Sequence, residues 1–410
     1  MTKFQSISRR KFMSQSLALG CSLAASPLVT PVALASAPSE NRLVVIILRG
    51  GMDGLDVVRP VGSAEFAELR PNMAGDGLDL DGFFALHPSL QDLMPLWERG
   101  ELNFAHAVST PYRDKRSHFD GQDILEAGTG VDALGRIRDG WLNRLLQSMP
   151  GMHAQAAYAV GRSDMLLLKG AAAVANWSPD AALNLSPQAH RLLELVMHED
   201  PLFRDAMLEA TELSLDEASS RNSAPVMDED DMMQAMRANN RRQRNGASAE
   251  NIARFAAGKL RDEARIAAFS LNGFDTHDRQ AQALPNALDR LQSAILMLQS
   301  ELGPIWGKTA ILAMTEFGRT ARYNGTGGTD HGTAGVMLMA GGALRGGRVL
   351  GDWPGLSEAD LYQRRDLMPT RDVRAYAGWA MRDLFGTDAN FIERILFPGV
   401  DLGTDPKLLL

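Results

Sequence analysis

The chain has 410 residues, of which 45% are apolar, so it is long enough to bury a large core. Its formal net charge is −8, and this acidic balance argues against nucleic acid as a partner. The single cysteine, Cys21, lies near the N-terminus. The rest of the chain therefore has no disulfide or thiolate metal site, and a metal there must use oxygen and imidazole ligands.

The N-terminal 37 residues have the pattern of an export signal. The motif SRRKFM at residues 8–13 is typical of a twin-arginine signal, and the whole segment contains four basic residues and no acidic one. An apolar stretch follows, interrupted by Pro27 and Pro31, which argue against a membrane helix, and small residues at 35–37 fit a cleavage site. We therefore expect export by the twin-arginine machinery and cleavage. The product would be a periplasmic or secreted protein without stable membrane insertion.

Beyond this leader, apolar strands alternate with amphipathic helices. Residues 43–48 (LVVIIL) are apolar on both faces, as in a parallel strand covered on both sides. Further strands are predicted at residues 101–108, 156–161, 264–271, 309–314 and 335–342, and helices at 117–127, 141–149 and 283–302. The alternation predicts one α/β domain over residues 38–410, a three-layer α/β/α sandwich with a mostly parallel central sheet.

Residues 186–262 differ in character from the segments on either side. Helical patterns alternate there with charge runs such as MDEDDMM and ANNRRQRNG. Charge runs of this kind are typical of solvated faces. We expect a helical insertion in the α/β domain.

Acidic and imidazole side chains cluster at the ends of the predicted strands. In open α/β sheets, ligands bind beyond the carboxyl ends of the strands, so residues distant in sequence can meet there. The candidate metal ligands are Asp53, Asp275, His277, Glu316 and His331. Carboxylate and imidazole ligands suit one or two divalent ions, for which zinc, manganese and calcium are the candidates. Two ions about 4 Å apart would clamp the attacking and leaving oxygens of a phosphoryl or sulfuryl transfer.

Ser117 stands at the start of a predicted helix and has two compatible interpretations. It is a natural N-cap, with Asp120 three residues later closing a capping box. A nucleophile or anion site at a helix N-terminus would need the same position, because free N–H groups and the positive dipole end favour negative charge there. Arg116 would add positive charge for an anionic substrate, and His118 could serve as a ligand or a base.

Several motifs together resemble one known family. They are LRGGMDGLDVVRP, FFALHPSL, RSHFDGQDILEAG, GWLNRLL, GFDTHDRQ, TEFGRT and TDHGTAGVMLMAGGAL. Combined with a twin-arginine leader, they resemble the domain-of-unknown-function 1501 family over nearly the whole chain beyond the leader. That family looks like a branch of the alkaline phosphatase and sulfatase superfamily, which implies an α/β/α sandwich with a bimetal site.

The superfamily resemblance assigns roles to individual residues. Asp53, Asp275 and His331 match metal-binding positions, and His277 would substitute for a histidine that the superfamily places two residues later. Glu316 falls where the superfamily has an aspartate followed by histidine. Because Phe317 follows Glu316 here, one imidazole ligand of the second metal is missing. Ser117 falls near the place of the nucleophile.

The sequence thus predicts an exported metal-dependent hydrolase of phosphate or sulfate esters. Ser117 or a metal-bound water would attack, and Arg116 or Arg319 would steady the anion. The substrate would be an anionic small molecule or a glycan ester. One alternative is a non-catalytic protein on the same scaffold that binds an envelope component, a glycan or a partner. Another is an isomerase or mutase of phosphorylated compounds.

Overall fold

A mixed ten-stranded sheet forms the centre of the fold. The computed structural model describes residues 32–35, 40–73, 77–149, 157–159, 165–172, 174–177, 247–262 and 264–410, all in one compact unit of the chain. Most of the predicted leader and most of the predicted insertion at residues 186–262 lie outside the described residues. The last part of that segment forms a helix (Ala247–Arg261).

The described strands are β1 (Val32–Ala35), β2 (Arg42–Arg49), β3 (Val58–Arg59), β4 (Leu78–Asp79), β5 (Ala85–Leu86), β6 (Leu102–Ser109), β7 (Ala157–Ala159), β8 (Ala175–Trp177), β9 (Ile266–Asn272), β10 (Thr309–Thr315), β11 (Gly335–Ala340), β12 (Arg348–Leu350) and β13 (Arg371–Asp372). The α-helices are α1 (Gly54–Val57), α2 (Ala64–Leu69), α3 (Met94–Glu98), α4 (His118–Ala127), α5 (Trp141–Ser148), α6 (Ala247–Arg261), α7 (Gln280–Leu302), α8 (Val373–Phe385) and α9 (Ala389–Phe391). None of the helices in the described ranges combines the length and the hydropathy that crossing a membrane requires.

The large sheet has the strand order β12-β6-β11-β10-β2-β9-β1-β7-β8, with β13 beside β6. At its centre, β2 pairs in parallel with β10 and with β9. Only β11 and β1 run against the other strands of this sheet, because each pairs antiparallel with its neighbours. The α/β class and the mostly parallel sheet are therefore confirmed. A separate small sheet joins β3, β5 and β4.

Side chains of β2 alternate between two hydrophobic cores. Val44 and Ile46 belong to the core that contains residues of α6 and α7, whereas Val45 and Ile47 belong to the core that contains residues of α5 and α8. All four side chains are fully buried. Each such side chain contributes about 1.5–3 kcal/mol relative to an exposed one. The strand is therefore a rigid mount for the loop that follows it.

Strand β1 lies within the segment that the sequence predicts to be a leader. It pairs with β9 on one side and with β7 and β8 on the other. Among the described pairings, β1 alone connects β7 and β8 to β9. Cleavage after residue 37 would remove β1, and with it the pairing that connects β7 and β8 to β9.

One edge of the sheet collects the polar loops. The carboxyl ends of the parallel strands β2, β9 and β10 lie at this edge. Because β11 runs antiparallel to β10, the residues that precede β11 lie at the same edge. Loops from four strands therefore meet there, including one that enters a strand rather than leaving it.

Candidate metal centre

Four side chains converge at this edge of the sheet. The ligand atoms of His118, Asp275, His277 and His331 all lie within 4.8 Å of one another. His118 is the first residue of α4, Asp275 and His277 follow β9, and His331 precedes β11. The structure thus brings together three of the five predicted metal ligands and adds His118, which the sequence offered as a ligand or base.

Asp275 is the centre of the cluster. Its Oδ1 lies 3.0 Å from His277 Nε2 and 3.4 Å from Nε2 of both His118 and His331. The Nε2 atoms of His277 and His331 are 2.8 Å apart. In a tetrahedral zinc site with bonds of about 2.0–2.1 Å, neighbouring ligand atoms are roughly 3.3 Å apart. The four separations of 2.8–3.4 Å are close to this value, and all four ligand atoms lie within 4.8 Å of one another, so the group is a candidate site for one ion.

The outer nitrogen of each ring lies beside an acceptor, and two of the three are within hydrogen-bond distance. His331 Nδ1 donates to the carbonyl of Arg116 at 2.8 Å, His118 Nδ1 contacts Glu316 Oε1 at 2.8 Å, and His277 Nδ1 lies 3.5 Å from Asp330 Oδ1. A proton on Nδ1 leaves the Nε2 lone pair directed at the cluster. Metal-binding histidines have this arrangement, in which the outer contact fixes the tautomer and the orientation of the ring.

The charges of the cluster also fit a cation. Without one, the carboxylates of Asp275 and Glu316 raise the pKa of His118 to about 9. Burial acts to raise the pKa of Asp275, but contacts with His118, His331 and Arg319 outweigh it and hold that pKa well below its usual range. His118 Nε2 is buried and, among the described residues, makes no hydrogen bond of good geometry, although it lies 3.4 Å from Asp275 Oδ1. A metal ion bound by both atoms would satisfy this nitrogen.

Glu316 lies behind His118 rather than among the ligand atoms. It is fully buried, and its Oε1 accepts hydrogen bonds from the backbone N–H of Gly50 and the amide of Gln122. Burial would raise the pKa of Glu316, but the hydrogen bonds, above all the one from His118, lower it overall. Glu316 is thus an ionised partner that orients His118, although the sequence predicted it as a ligand.

Phe317 packs against the histidines of the cluster. Its ring stacks on His118 with centroids 5.0 Å apart, and it lies 5.0 Å from the ring of His331. The superfamily resemblance implies a histidine at this position, so an imidazole ligand is missing here. In the structure an aromatic ring instead packs against two of the candidate ligands.

Asp53 does not join the cluster. Its carboxylate is buried, accepts from Arg70 Nη1 at 2.9 Å and Gln280 Nε2 at 2.7 Å, and caps α1 through the N–H of Leu55. Asp56 bonds to the same Gln280 amide. The predicted metal role of Asp53 thus finds no counterpart here, because the carboxylate is taken up by a buried ion pair.

Arg319 is also committed to protein partners. It is 1% exposed, and its guanidinium donates to backbone carbonyls of the loops after β2 and β9, to the carbonyl of Thr329, and to Asp275 Oδ1. These bonds use all of its nitrogens. Arg319 therefore joins the loops and positions Asp275, whereas the sequence analysis assigned it to the substrate anion.

Arg116 and Ser117 lie at the rim. The carbonyl of Arg116 accepts from His331, and its side chain, 35% exposed, lies 3.9 Å from Asp366. Ser117 is the N-cap of α4, as predicted, because its side chain accepts from the N–H of Asp120. The reciprocal half of the capping box is replaced, since the N–H of Ser117 donates to the hydroxyl of Tyr112. A nucleophilic role of Ser117 stays a prediction.

We expect Glu316→Gln to weaken zinc binding about 10- to 100-fold while leaving the four ligands in place. Glutamine keeps the size of the side chain but removes the charge that holds the Nδ1 proton of His118. Competition with a chromophoric chelator measures the affinity. Glu126→Gln is the matched control, because Glu126 is also buried but bonds to Arg49 and the N–H of Leu167. Equal affinities of the two variants would contradict the role given to Glu316.

Comparisons with known proteins identify the family of the chain. Neither the curated proteins nor the solved structures contain a match. A family model described as "protein of unknown function (DUF1501)" matches residues 40–390, which is most of the chain. The chain therefore belongs to the DUF1501 family.

Proposed function

We propose that this protein is an exported, zinc-dependent hydrolase of phosphate or sulfate esters with an alkaline phosphatase-like three-layer sandwich. The observation that supports it is the set of three Nε2 atoms around the Asp275 carboxylate, with each outer nitrogen beside an acceptor. Imidazole-rich sites favour zinc, or less strongly manganese, over calcium, which prefers oxygen ligands alone. We propose a single ion, because the described residues contain one such group.

The surroundings of the cluster suit an anionic ester. The side chains of Asp275 and His277 are 46% and 44% exposed, so a substrate can approach from their side. The buried ring of Phe317 packs against His118 and His331. A zinc ion held here would supply a Lewis acid. Because four protein donors fill a tetrahedral site, the ester or an attacking water would have to enter as a fifth ligand on the exposed side. Arg116 at the rim adds positive charge beside the substrate.

The proposal is tested with the purified protein. The protein is stripped with a chelator, reloaded with zinc, manganese or calcium, and assayed with p-nitrophenyl phosphate and p-nitrophenyl sulfate, while elemental analysis counts the bound ion. We expect one zinc per chain and zinc-dependent cleavage of one ester. Absence of stoichiometric metal would refute the proposal. Metal retained without hydrolysis of any ester would favour the non-catalytic binding protein.

We expect Ser117→Ala to lower kcat by less than about tenfold. The Ser117 oxygen is engaged as the N-cap of α4, so the variant should mainly lose about 1 kcal/mol of stability. A steady-state assay with the cleaved ester and a urea unfolding curve measure the two effects. Loss of a true nucleophile costs up to ~10⁶ in kcat, and a fall of that order would make Ser117 the attacking group.

Export is the second part of the proposal and rests on the twin arginines, Arg9 and Arg10, ahead of the apolar stretch. We expect the variant Arg9→Lys/Arg10→Lys to remain in the cytoplasmic fraction, because the export machinery reads the arginine pair. Cell fractionation followed by N-terminal sequencing of the exported chain measures this and locates the cleavage site. Equal export of the variant would contradict the twin-arginine route.

A further inference from the structure

A small pocket lies directly beside the metal centre. Its volume is about 180 Å³, and three arginines, Arg322, Arg364 and Arg365, line it together with Asp330. Two lining residues touch metal ligands: Asp330 Oδ1 lies 3.5 Å from His277 Nδ1, and Arg365 Nη2 donates to the carbonyl of His331 at 2.8 Å. The pocket and the cluster therefore share a wall.

The pocket is positively charged. Its one acid, Asp330, accepts from the Asn324 amide and faces His277, so its charge is directed at those partners. Across the described ranges, no carboxylate pairs with Arg322. Arg364 pairs with Glu358, but both side chains are largely exposed, and such surface pairs are weak and screened. Arg365 is engaged, because its Nη2 donates to the carbonyl of His331 and its Nη1 lies 3.6 Å from Asp366 Oδ1. The guanidinium groups available to an anion are therefore those of Arg322 and Arg364.

The turn that carries two of these arginines is strained. Gln363 and Arg364 have φ values of 52° and 55°, in the left-handed region that residues other than glycine avoid. Asp114 holds the turn, because its Oδ1 accepts from Tyr362 Oη at 3.0 Å and from Gln363 Nε2 at 2.7 Å. Strained turns that the surroundings hold in place are concentrated at ligand sites.

The size of the pocket limits what can occupy it. Pockets that enclose a whole small molecule usually measure about 300–1,000 Å³. A pocket of about 180 Å³ suits one functional group instead. Guanidinium groups bind oxyanions through paired, charge-assisted hydrogen bonds. The fitting group is a phosphate or a sulfate.

We propose that this arginine pocket binds a second anionic group of the substrate, apart from the ester group that reacts at the metal centre. The substrate class is then an ester with at least two phosphate or sulfate groups. The claim that the anion belongs to the substrate rests on the proposed function. The claim that the pocket binds an oxyanion does not, so experiments can refute one claim without the other.

The first test uses the full chain after treatment with a chelator, so that no anion can bind to a metal. Titration calorimetry with inorganic sulfate should show one site per chain. We expect Arg322→Gln and Arg364→Gln each to weaken this binding about tenfold. Arg394→Gln removes the same charge from an exposed position elsewhere and should leave it unchanged. Three outcomes would contradict the assignment of the pocket as an anion site. They are no sulfate binding, sulfate binding only when zinc is present, and an equal effect of all three substitutions.

A second test concerns the substrate. With the zinc-loaded protein, Arg322→Gln should raise KM about tenfold for an ester with two anionic groups and leave KM for p-nitrophenyl phosphate or sulfate unchanged. The expected kcat is the same for both substrates, because Arg322 contacts neither the metal ligands nor the reacting group. Equal changes in KM for both substrates would show that the pocket does not select a second anion.

Discussion

Replacing Asp275 with asparagine is expected to abolish stoichiometric zinc binding. The carboxylate is the only anion among the four candidate ligands and lies within 3.4 Å of all three Nε2 atoms. Asparagine preserves the shape and an acceptor for Arg319, so the loop should fold as before. The loss in affinity should exceed the 10- to 100-fold typical of residues that only orient a ligand. A zinc titration of the folded variant and of the unmodified protein measures this loss in affinity.

The matched control is Asp278→Asn. Asp278 lies in the same loop and undergoes the same chemical change, but its carboxylate is exposed and pairs only loosely with Arg279 at 3.4 Å. We expect zinc affinity within about twofold of the unmodified protein, since exposed pairs of this kind contribute little. If Asp275→Asn bound one zinc as tightly as Asp278→Asn, the cluster would not be a metal site.

Much of the fold follows from apolar patterning. The short, β-branched apolar run at residues 43–48 predicts β2, and the helical spacing of leucines at residues 284–302 predicts α7. The direction of β11 could not be predicted, since an apolar run looks the same in a parallel and in an antiparallel strand. That direction matters, because it places His331 at the edge where β9 and β10 end.

The sequence predicted those parts of the site whose positions follow from the order and direction of the strands. Asp275, His277 and His331 meet because their loops share one edge of the sheet. The sequence could not tell which way a carboxylate faces within such a loop. Glu316 turns towards the outer nitrogen of His118, and Asp53 turns towards Arg70, which is 17 residues away in sequence. Such choices depend on long-range partners that a local pattern does not contain.

The network around Asp53 is fully buried and carries both signs of charge. Arg70 donates to Asp53 and also to the carbonyls of Ala321 and Thr320, and Gln280 bridges Asp53 and Asp56. The other end of Gln280 accepts from two threonine hydroxyls, Thr276 and Thr329, in the loops that carry Asp275 and His331. The network therefore supports the site mechanically without presenting a ligand to it.

We expect Arg70→Met to lower the free energy of unfolding by about 3–5 kcal/mol, because it leaves the buried Asp53 carboxylate without its countercharge. Urea unfolding followed by circular dichroism measures the change. Arg99→Met is the control: Arg99 pairs with Glu101 at the same 2.9 Å but is 47% exposed, so the loss should stay below about 1 kcal/mol. Asp53→Asn should also destabilise the protein yet keep its zinc affinity. A loss of zinc from Asp53→Asn under folded conditions would restore Asp53 as a ligand and contradict its assignment to the ion pair.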